Sequence, residues 1–454
     1  MPSTSDKMNV RLPVVAIVGR PNVGKSTLFN RLIRKRKAIV GDRPGVTVDR
    51  LESECRIGER QVALVDTGGI GEPQHGQMQA AIDAQVEAAL DIADLVLFVV
   101  DGTAGFTPVD ASIADKLRRE GTATVLVVNK AENPDVAADF YALGLADPLP
   151  VSAIHGQGIQ PLVSRIQSQL PEERITAPEA SEPLARIAVI GRPNVGKSTL
   201  INAWLGQERM VVSPIAGTTR DAIDVDMPYG EGVVRLVDTA GQRRHGRISD
   251  VIEFVARVKA VQAFRRADAA VMLLDGSEGV VDQDMRLMQL AFDEGCALVV
   301  AVNKTDMLSD DEWKYYTGRL DFRLRGMPDV PVFRIAAKHR KGVRRLLDAA
   351  VQAAGRNAFE AGTGELNRWL EKVQHRQRAP SDDGAAVRLK YISQTATRPP
   401  TLKVFCNRPK SIRHSYRRYL EQSFRKTFNL PGVPVRFVFS ASRNPYAPAG
   451  RRQN

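Results

Sequence analysis

Gly19-Arg20-Pro21-Asn22-Val23-Gly24-Lys25-Ser26-Thr27 is followed, 172 residues later, by Gly191-Arg192-Pro193-Asn194-Val195-Gly196-Lys197-Ser198-Thr199, the same nine residues in the same order. Each stretch satisfies the phosphate-loop pattern Gly-x4-Gly-Lys-Ser. The glycines let backbone N–H groups turn toward phosphate oxygens, and a following helix adds its N-terminal dipole. Lys25 and Lys197 would reach the β- and γ-phosphates; the hydroxyls of Ser26 and Ser198 are Mg²⁺ ligands. An apolar strand-sized run precedes each loop, Val14–Val18 and Ile187–Ile190, and a helix pattern follows. Two nucleotide-binding domains in tandem are the consequence.

The same offset relates Thr47 to Thr219 and Asp66-Thr67-Gly68-Gly69 to Asp238-Thr239-Ala240-Gly241. Asp66 and Asp238 are expected to hold Mg²⁺, directly or through water, and Thr47 and Thr219 to complete its coordination. Gly69 and Gly241 would offer a backbone N–H to the γ-phosphate, in loops able to order with the triphosphate and relax after hydrolysis. Gln242 follows Gly241, where it can orient an attacking water; the first copy has Ile70, which cannot. Asn22 and Asn194 are candidate ligands for a monovalent cation bridging the phosphates, or else hold the loop by hydrogen bonds.

Downstream elements select the base. Asn303-Lys304-Thr305-Asp306 follows the apolar run Leu298–Val302. A carboxylate there accepts from both N1–H and the 2-amino group of guanine. Adenine would leave it buried and unpaired. The first copy reads Asn129-Lys130-Ala131-Glu132, which can make the same two bonds at the cost of one methylene. Ser152-Ala153 fits the loop that backs guanine O6 with a main-chain N–H, and Ala336-Ala337 keeps that donor without the hydroxyl.

The 454 residues suffice for about three domains at roughly 150 residues each. Short apolar runs alternate with helix-length segments, which implies α/β domains: a mostly parallel sheet with helices on both faces. The expected organisation is a first nucleotide domain over 12–172, a flexible linker over 173–184, a second nucleotide domain over 185–356, a basic domain over 357–442 and a disordered tail over 443–454. The order α-β-β-α-β marks the last domain as a small α+β unit. No apolar run approaches the roughly 18 residues of a membrane span, and no signal peptide is visible. Three cysteines without metal-like spacing suggest free thiols and a cytoplasmic protein.

The net charge of +12 is unevenly placed: residues 357–454 hold 19 Lys and Arg against 6 Asp and Glu, the remainder 45 against 46. Such a block suggests a polyanion partner, nucleic acid foremost. Arg413, Arg417, Arg418, Arg425 and Lys426 are the candidate phosphate contacts, while Tyr416, Tyr419, Phe424 and Phe428 read as core.

Two such domains followed by a small basic one resemble the Der/EngA family of bacterial GTPases. Leu366-Asn367-x-Trp369-Leu370, Tyr391-x-x-Gln394, Arg398-Pro399-Pro400-Thr401 and Ser415-Tyr416-x-Arg418-Tyr419-Leu420 strengthen the likeness, which spans about residues 12–440. It implies a GTP-hydrolysing factor with K⁺ activation through Asn22 and Asn194, beside the GTP or GDP, the Mg²⁺ and the cytoplasmic monomer otherwise expected. It further implies action on the large (50S) ribosomal subunit and its rRNA during assembly, and a KH-like C-terminal domain. Val48, Glu132 and Gln242 depart from the family's usual residues, and no G-x-x-G RNA clamp occurs after Asn357. The alternative from the residues themselves is an RNA-binding scaffold with one largely structural GTP site, motivated by Ile70 and Glu132.

Overall fold

The computed structural model describes residues 12–34, 52–69, 78–145, 147–171, 182–206, 224–237, 249–327, 329–379 and 386–441. The chain divides into two compact units. One takes in residues 10–177 and 243–262, the other 178–242 and 263 onward.

The first nucleotide domain runs β1 (Val14–Val18), α1 (Lys25–Arg34), β2 (Glu52–Ile57), β3 (Arg60–Asp66), α2 (Met78–Ile92), β4 (Leu95–Asp101), α3 (Pro108–Glu120), β5 (Thr124–Asn129), β6 (Leu149–Val151) and α4 (Ile159–Gln169). Its six strands lie in the order β2-β3-β1-β4-β5-β6, all pairs parallel except β2 with β3. β1 and β4 are apolar and buried throughout up to the terminal Asp101 because both faces of the sheet are covered. Alternate residues serve opposite layers. Val15 and Ile17 pack with Leu28 and Leu32 of α1 and Leu162 and Ile166 of α4. Ala16 and Val18 pack with Val86 of α2 and Ile113 and Leu117 of α3. The helix α3 begins after Thr107, whose hydroxyl and Asp110 form a reciprocal capping box; Gly121 ends it at φ 59°.

The second copy repeats this with β7 (Ala185–Ile190), α5 (Lys197–Leu205), β8 (Val225–Tyr229), β9 (Gly232–Val237), α6 (Ser249–Arg266), β10 (Ala269–Asp275), α7 (Asp282–Glu294), β11 (Ala297–Asn303), α8 (Asp310–Arg323), β12 (Val332–Arg334) and α9 (Val343–Asn357). Its sheet order, β8-β9-β7-β10-β11-β12, matches the first. In both copies the antiparallel edge strand (β2, β8) forms no apolar run, because polar residues interrupt it.

The C-terminal region is α10 (Thr363–Arg376), β13 (Leu389–Ala396), β14 (Thr401–Cys406), α11 (His414–Phe428) and β15 (Arg436–Ala441), the α-β-β-α-β order read from the sequence. β14 pairs antiparallel with β13 and parallel with β15; α11 makes the crossover that a parallel pair requires. Trp369 and Leu370 of α10 and Tyr416, Leu420 and Phe424 of α11 share one buried cluster with Leu402 and Val404. That cluster is continuous, through Leu346, Ala350 and Ala354 of α9, with the core of the second nucleotide domain. Buried Asn357 ties the join: its Nδ2 donates to the carbonyls of Asp268 (2.8 Å) and Gly295 (3.0 Å), and Leu298 N donates to Gly432 O at 2.8 Å.

Candidate nucleotide site

In both copies the phosphate loop connects the central strand to the next helix, and the same glycines are sterically required. A Cβ on Gly19 would stand 2.2 Å from the Val99 carbonyl, and one on Gly191 2.4 Å from that of Leu273. Val23 and Val195 drop into the core beneath the loops. Asn22 and Asn194 occupy left-handed backbone at φ 66° and 65° with exposed side chains, and Thr27 and Thr199 lie exposed on the first helical turn.

The loop lysines are anchored by the loops themselves. Lys25 Nζ donates to the carbonyls of Gly19 (2.7 Å) and Arg20 (2.9 Å), and Lys197 Nζ to those of Gly191 (2.8 Å) and Arg192 (2.7 Å). Burial lowers the Lys25 pKa, which Asp66 partly offsets and Arg20 reinforces; burial alone lowers that of Lys197 to about 8. An ammonium desolvated in this way gains more than a surface one from incoming phosphate charge. Ser26 Oγ donates to Asp66 Oδ2 at 2.7 Å, so the hydroxyl and carboxylate expected at Mg²⁺ converge. Asp66 Oδ1 accepts from Gly68 N at 2.9 Å, and Thr67 Oγ1 donates to Ile17 O. Among the described residues no three His, Cys, Asp or Glu side chains cluster. That donor set fits Mg²⁺, which takes one or two protein oxygens and fills its sphere with phosphate and water.

One buried asparagine per copy joins the phosphate loop to the loop expected to back guanine O6. Asn129 Nδ2 donates to Val23 O (2.8 Å) while its Oδ1 accepts from Ala153 N (3.0 Å). Asn303 does the same with Val195 O and Ala337 N, both at 2.9 Å. Gly24 and Gly196 must lack side chains for this, since a Cβ would lie 2.3 and 2.4 Å from the asparagine Nδ2. Lys130 spans the same gap: its Nζ donates to Asn22 O (2.9 Å) and to Asp101 Oδ2 (2.6 Å), as Lys304 does to Asp275 Oδ2 (2.5 Å). Burial pushes the Asp101 carboxyl up, but Lys130 and Thr103 outweigh it and hold it at about 2; Lys304 and Ser277 likewise hold Asp275 low against burial. Ala131 N and Thr305 Oγ1 bond to the carbonyls of Val151 and Ile335, closing the loops that carry Glu132 and Asp306. Ser152 and Ala336 are buried. In the first copy these parts line an open cleft of about 970 Å³, bounded by Pro21, Lys25, Ser26, Lys130, Glu132 and Ala153 among others. This is ample for a nucleoside triphosphate, at the upper end of usual ligand pockets.

Sequence reading missed two supports. Arg20 pairs with Asp110 of α3 (3.3 Å), and Arg192 with Asp284 of α7 (3.0 Å) and with Glu278 before it (2.7 Å), which tethers each phosphate loop to the third helix after it. Asp101 and Asp275 are the other support; their signal was an Asp-Gly after the third apolar run of each copy. Gly69 closes a short 3₁₀ turn after Asp66. Thr47, Ile70, Thr219, Asp238, Thr239, Ala240, Gly241 and Gln242 lie outside the described residues.

One expectation about the basic domain is corrected. Arg425 is buried at 6% exposure beside Glu421, its pKa lowered by that burial, so it belongs to the domain's interior rather than to a phosphate-facing surface. Helical spacing turned it inward next to Phe424. Arg413, Arg418 and Lys426 are exposed, while Arg417 is half-buried over the Phe439 ring at 5.0 Å. No described helix is long and apolar enough to cross a membrane.

Comparison with known proteins agrees with this geometry. Residues 14–130 and 186–304 match the family described as 50S ribosome-binding GTPase, and 361–440 the KH-domain-like C-terminal region of EngA bacterial GTPase enzymes. GTPase Der of Xanthomonas campestris is 44% identical over 440 residues, covering 96% of this chain and 94% of its own. GTPase Der of Coxiella burnetii is 42% identical over 438 residues (96% and 98%), and that of a Bradyrhizobium species 40% over 451 (96% and 99%). With two phosphate loops, two asparagine-bridged base loops and a KH-like end, the chain belongs to the Der family of tandem G-domain GTPases, enzymes that hydrolyse GTP.

Proposed function

We propose that this protein is a GTP-driven switch in assembly of the large ribosomal subunit, with both clefts binding GTP and the basic C-terminal domain facing rRNA in the cytoplasm. The observation that carries the reading is the duplicated bridge, Asn129 and Asn303, which links phosphate and base loops identically in two domains of one chain. In this reading Lys25 and Lys197 bind the β- and γ-phosphates. Glu132 and Asp306 read guanine, and the N–H groups of Ala153 and Ala337 face its O6. Ser26, Thr47 and Asp66, with Ser198, Thr219 and Asp238, hold Mg²⁺, which neutralises phosphate charge when bound. Asn22 and Asn194 ligate K⁺ in this reading, and Gln242 orients the attacking water at the second site. Arg413, Arg418 and Lys426 supply phosphate contacts to rRNA, which makes binding steeply salt-dependent.

The test is co-sedimentation of the full chain with ribosomal subunits in GDP, GTP and a non-hydrolysable GTP analogue. Selective retention on the large subunit with the analogue is expected; equal retention, or none, in all three states would overturn the switch. Lys25→Ala combined with Lys197→Ala should abolish GTP turnover. Turnover that survives Lys25→Ala at the full wild-type rate would instead favour the scaffold reading, with a structural first site.

A further inference from the structure

The carboxylate assigned to the base has a neighbour in each copy that the motifs do not contain. His155 Nε2 lies 3.3 Å from Glu132 Oε1, and His339 Nε2 lies 3.3 Å from Asp306 Oδ2. Each histidine stands three residues after the first residue of its O6 loop, Ser152 or Ala336. The residue after each histidine, Gly156 at φ 78° or Arg340 at φ 53°, takes left-handed backbone. The separation is identical although one carboxylate is Glu and the other Asp, so the pairing survives the extra methylene. The loop behind the first histidine is fixed: Arg31 donates to the carbonyls of Ala153 (2.8 Å) and Ile154, and Asn129 takes the Ala153 N–H. In the second copy Asn303 takes the Ala337 N–H. An imidazole on a braced loop therefore meets a carboxylate on a separate loop, twice in one chain.

We propose that His155 and His339 are specificity-positioning residues, whose Nε2–H orients the guanine-reading carboxylate so that both of its oxygens face the base. The proposal rests on Glu132 and Asp306 being the base readers. A carboxylate oxygen has lone pairs enough to accept from imidazole and from guanine together. Without the imidazole, the side chain samples orientations in which only one oxygen meets the base. Two-point recognition of N1–H and the 2-amino group then weakens more than one-point recognition. Inosine diphosphate, which keeps N1–H and lacks the 2-amino group, separates the two.

The experiment uses the full chain carrying Lys25→Ala, so that nucleotide binding reports the second site, and measures Kd for GDP and for inosine diphosphate by competition against a fluorescent GDP. His339→Ala should narrow the GDP preference by about two- to ten-fold, the range of one hydrogen bond to a charged group that stays solvated. His339→Gln, which restores an N–H near the Nε2 position, should recover most of it. A ratio unchanged in His339→Ala, whether both affinities fall together or neither moves, overturns the proposal. Asp306→Asn distinguishes the two failures. If it collapses the ratio while His339→Ala does not, only the histidine role is lost. If it leaves the ratio intact, the base-reading assignment fails and the proposal with it. His155→Ala in a Lys197→Ala chain repeats the test at the first site.

Discussion

Replacing Asn303 by alanine should cost the second nucleotide domain about 2–4 kcal/mol. Asn303 is 4% exposed, and its amide makes two buried hydrogen bonds of 2.9 Å, to Val195 O and from Ala337 N. Alanine removes both partners' bonds and leaves a carbonyl and an N–H that face each other across the gap with no side chain between them. Each buried polar group left unpaired costs about 1–3 kcal/mol. Water entering the vacated space recovers part of that, which places the sum in the lower half of the additive range. The three tryptophans, Trp204, Trp313 and Trp369, all lie in the compact unit that contains Asn303. Tryptophan fluorescence during urea unfolding therefore reports on that unit. With a slope of about 3 kcal/mol/M, the midpoint should fall by roughly 1 M. Asn303→Asp should be at least as damaging, because it sets an anionic oxygen against the Val195 carbonyl. A midpoint within about 0.2 M of wild type for Asn303→Ala would refute the bridge as a structural link.

Other consequences follow from the same geometry. GDP affinity at the second site should be level near pH 7 and fall above pH 8: burial holds Lys197 at about 8, so at higher pH the empty site carries a neutral amine and must take up a proton when phosphate binds. Calorimetry at pH 8.5 in two buffers of different ionisation heat should detect that uptake, and an affinity constant from pH 7 to 9 would contradict it. Gly196→Ala places a Cβ 2.4 Å from Asn303 Nδ2 at φ 100°; strain of ~1–3 kcal/mol should weaken nucleotide binding there by roughly ten- to a hundred-fold, readable by titration with fluorescent GDP. Arg418→Ala should weaken RNA binding and reduce the salt slope by about 1. Arg425→Ala should instead lower the unfolding midpoint seen through Trp369, since Arg425 is interior.

The nucleotide-binding part was legible because its determinants are local. A phosphate loop needs glycine at set spacings, and a strand buried on both faces must be apolar along its length, so β1, β4 and β10 could be read directly. Edge strands were less visible. Glu52–Ile57 and Val225–Tyr229 carry polar residues at alternate positions because one side of them meets less of the core.

A fixed offset of 172 residues also loses the second copy beyond the third strand: Asn129 corresponds to Asn303 and Ser152 to Ala336, at larger separations. Loop insertions change the count and leave the fold unaltered. Sequence by itself determined the two phosphate-loop domains, the Asn-Lys-x-Glu and Asn-Lys-x-Asp segments, and the basic C-terminal domain, because each depends on residue type at short spacing. Only the tertiary structure decided which groups Asn129 and Asn303 bridge, that Asp101 and Asp275 hold Lys130 and Lys304, that His155 and His339 meet Glu132 and Asp306, and that Arg425 points inward. Those relations join residues from about 20 to more than 100 positions apart, and their geometry is set by how strands and helices pack.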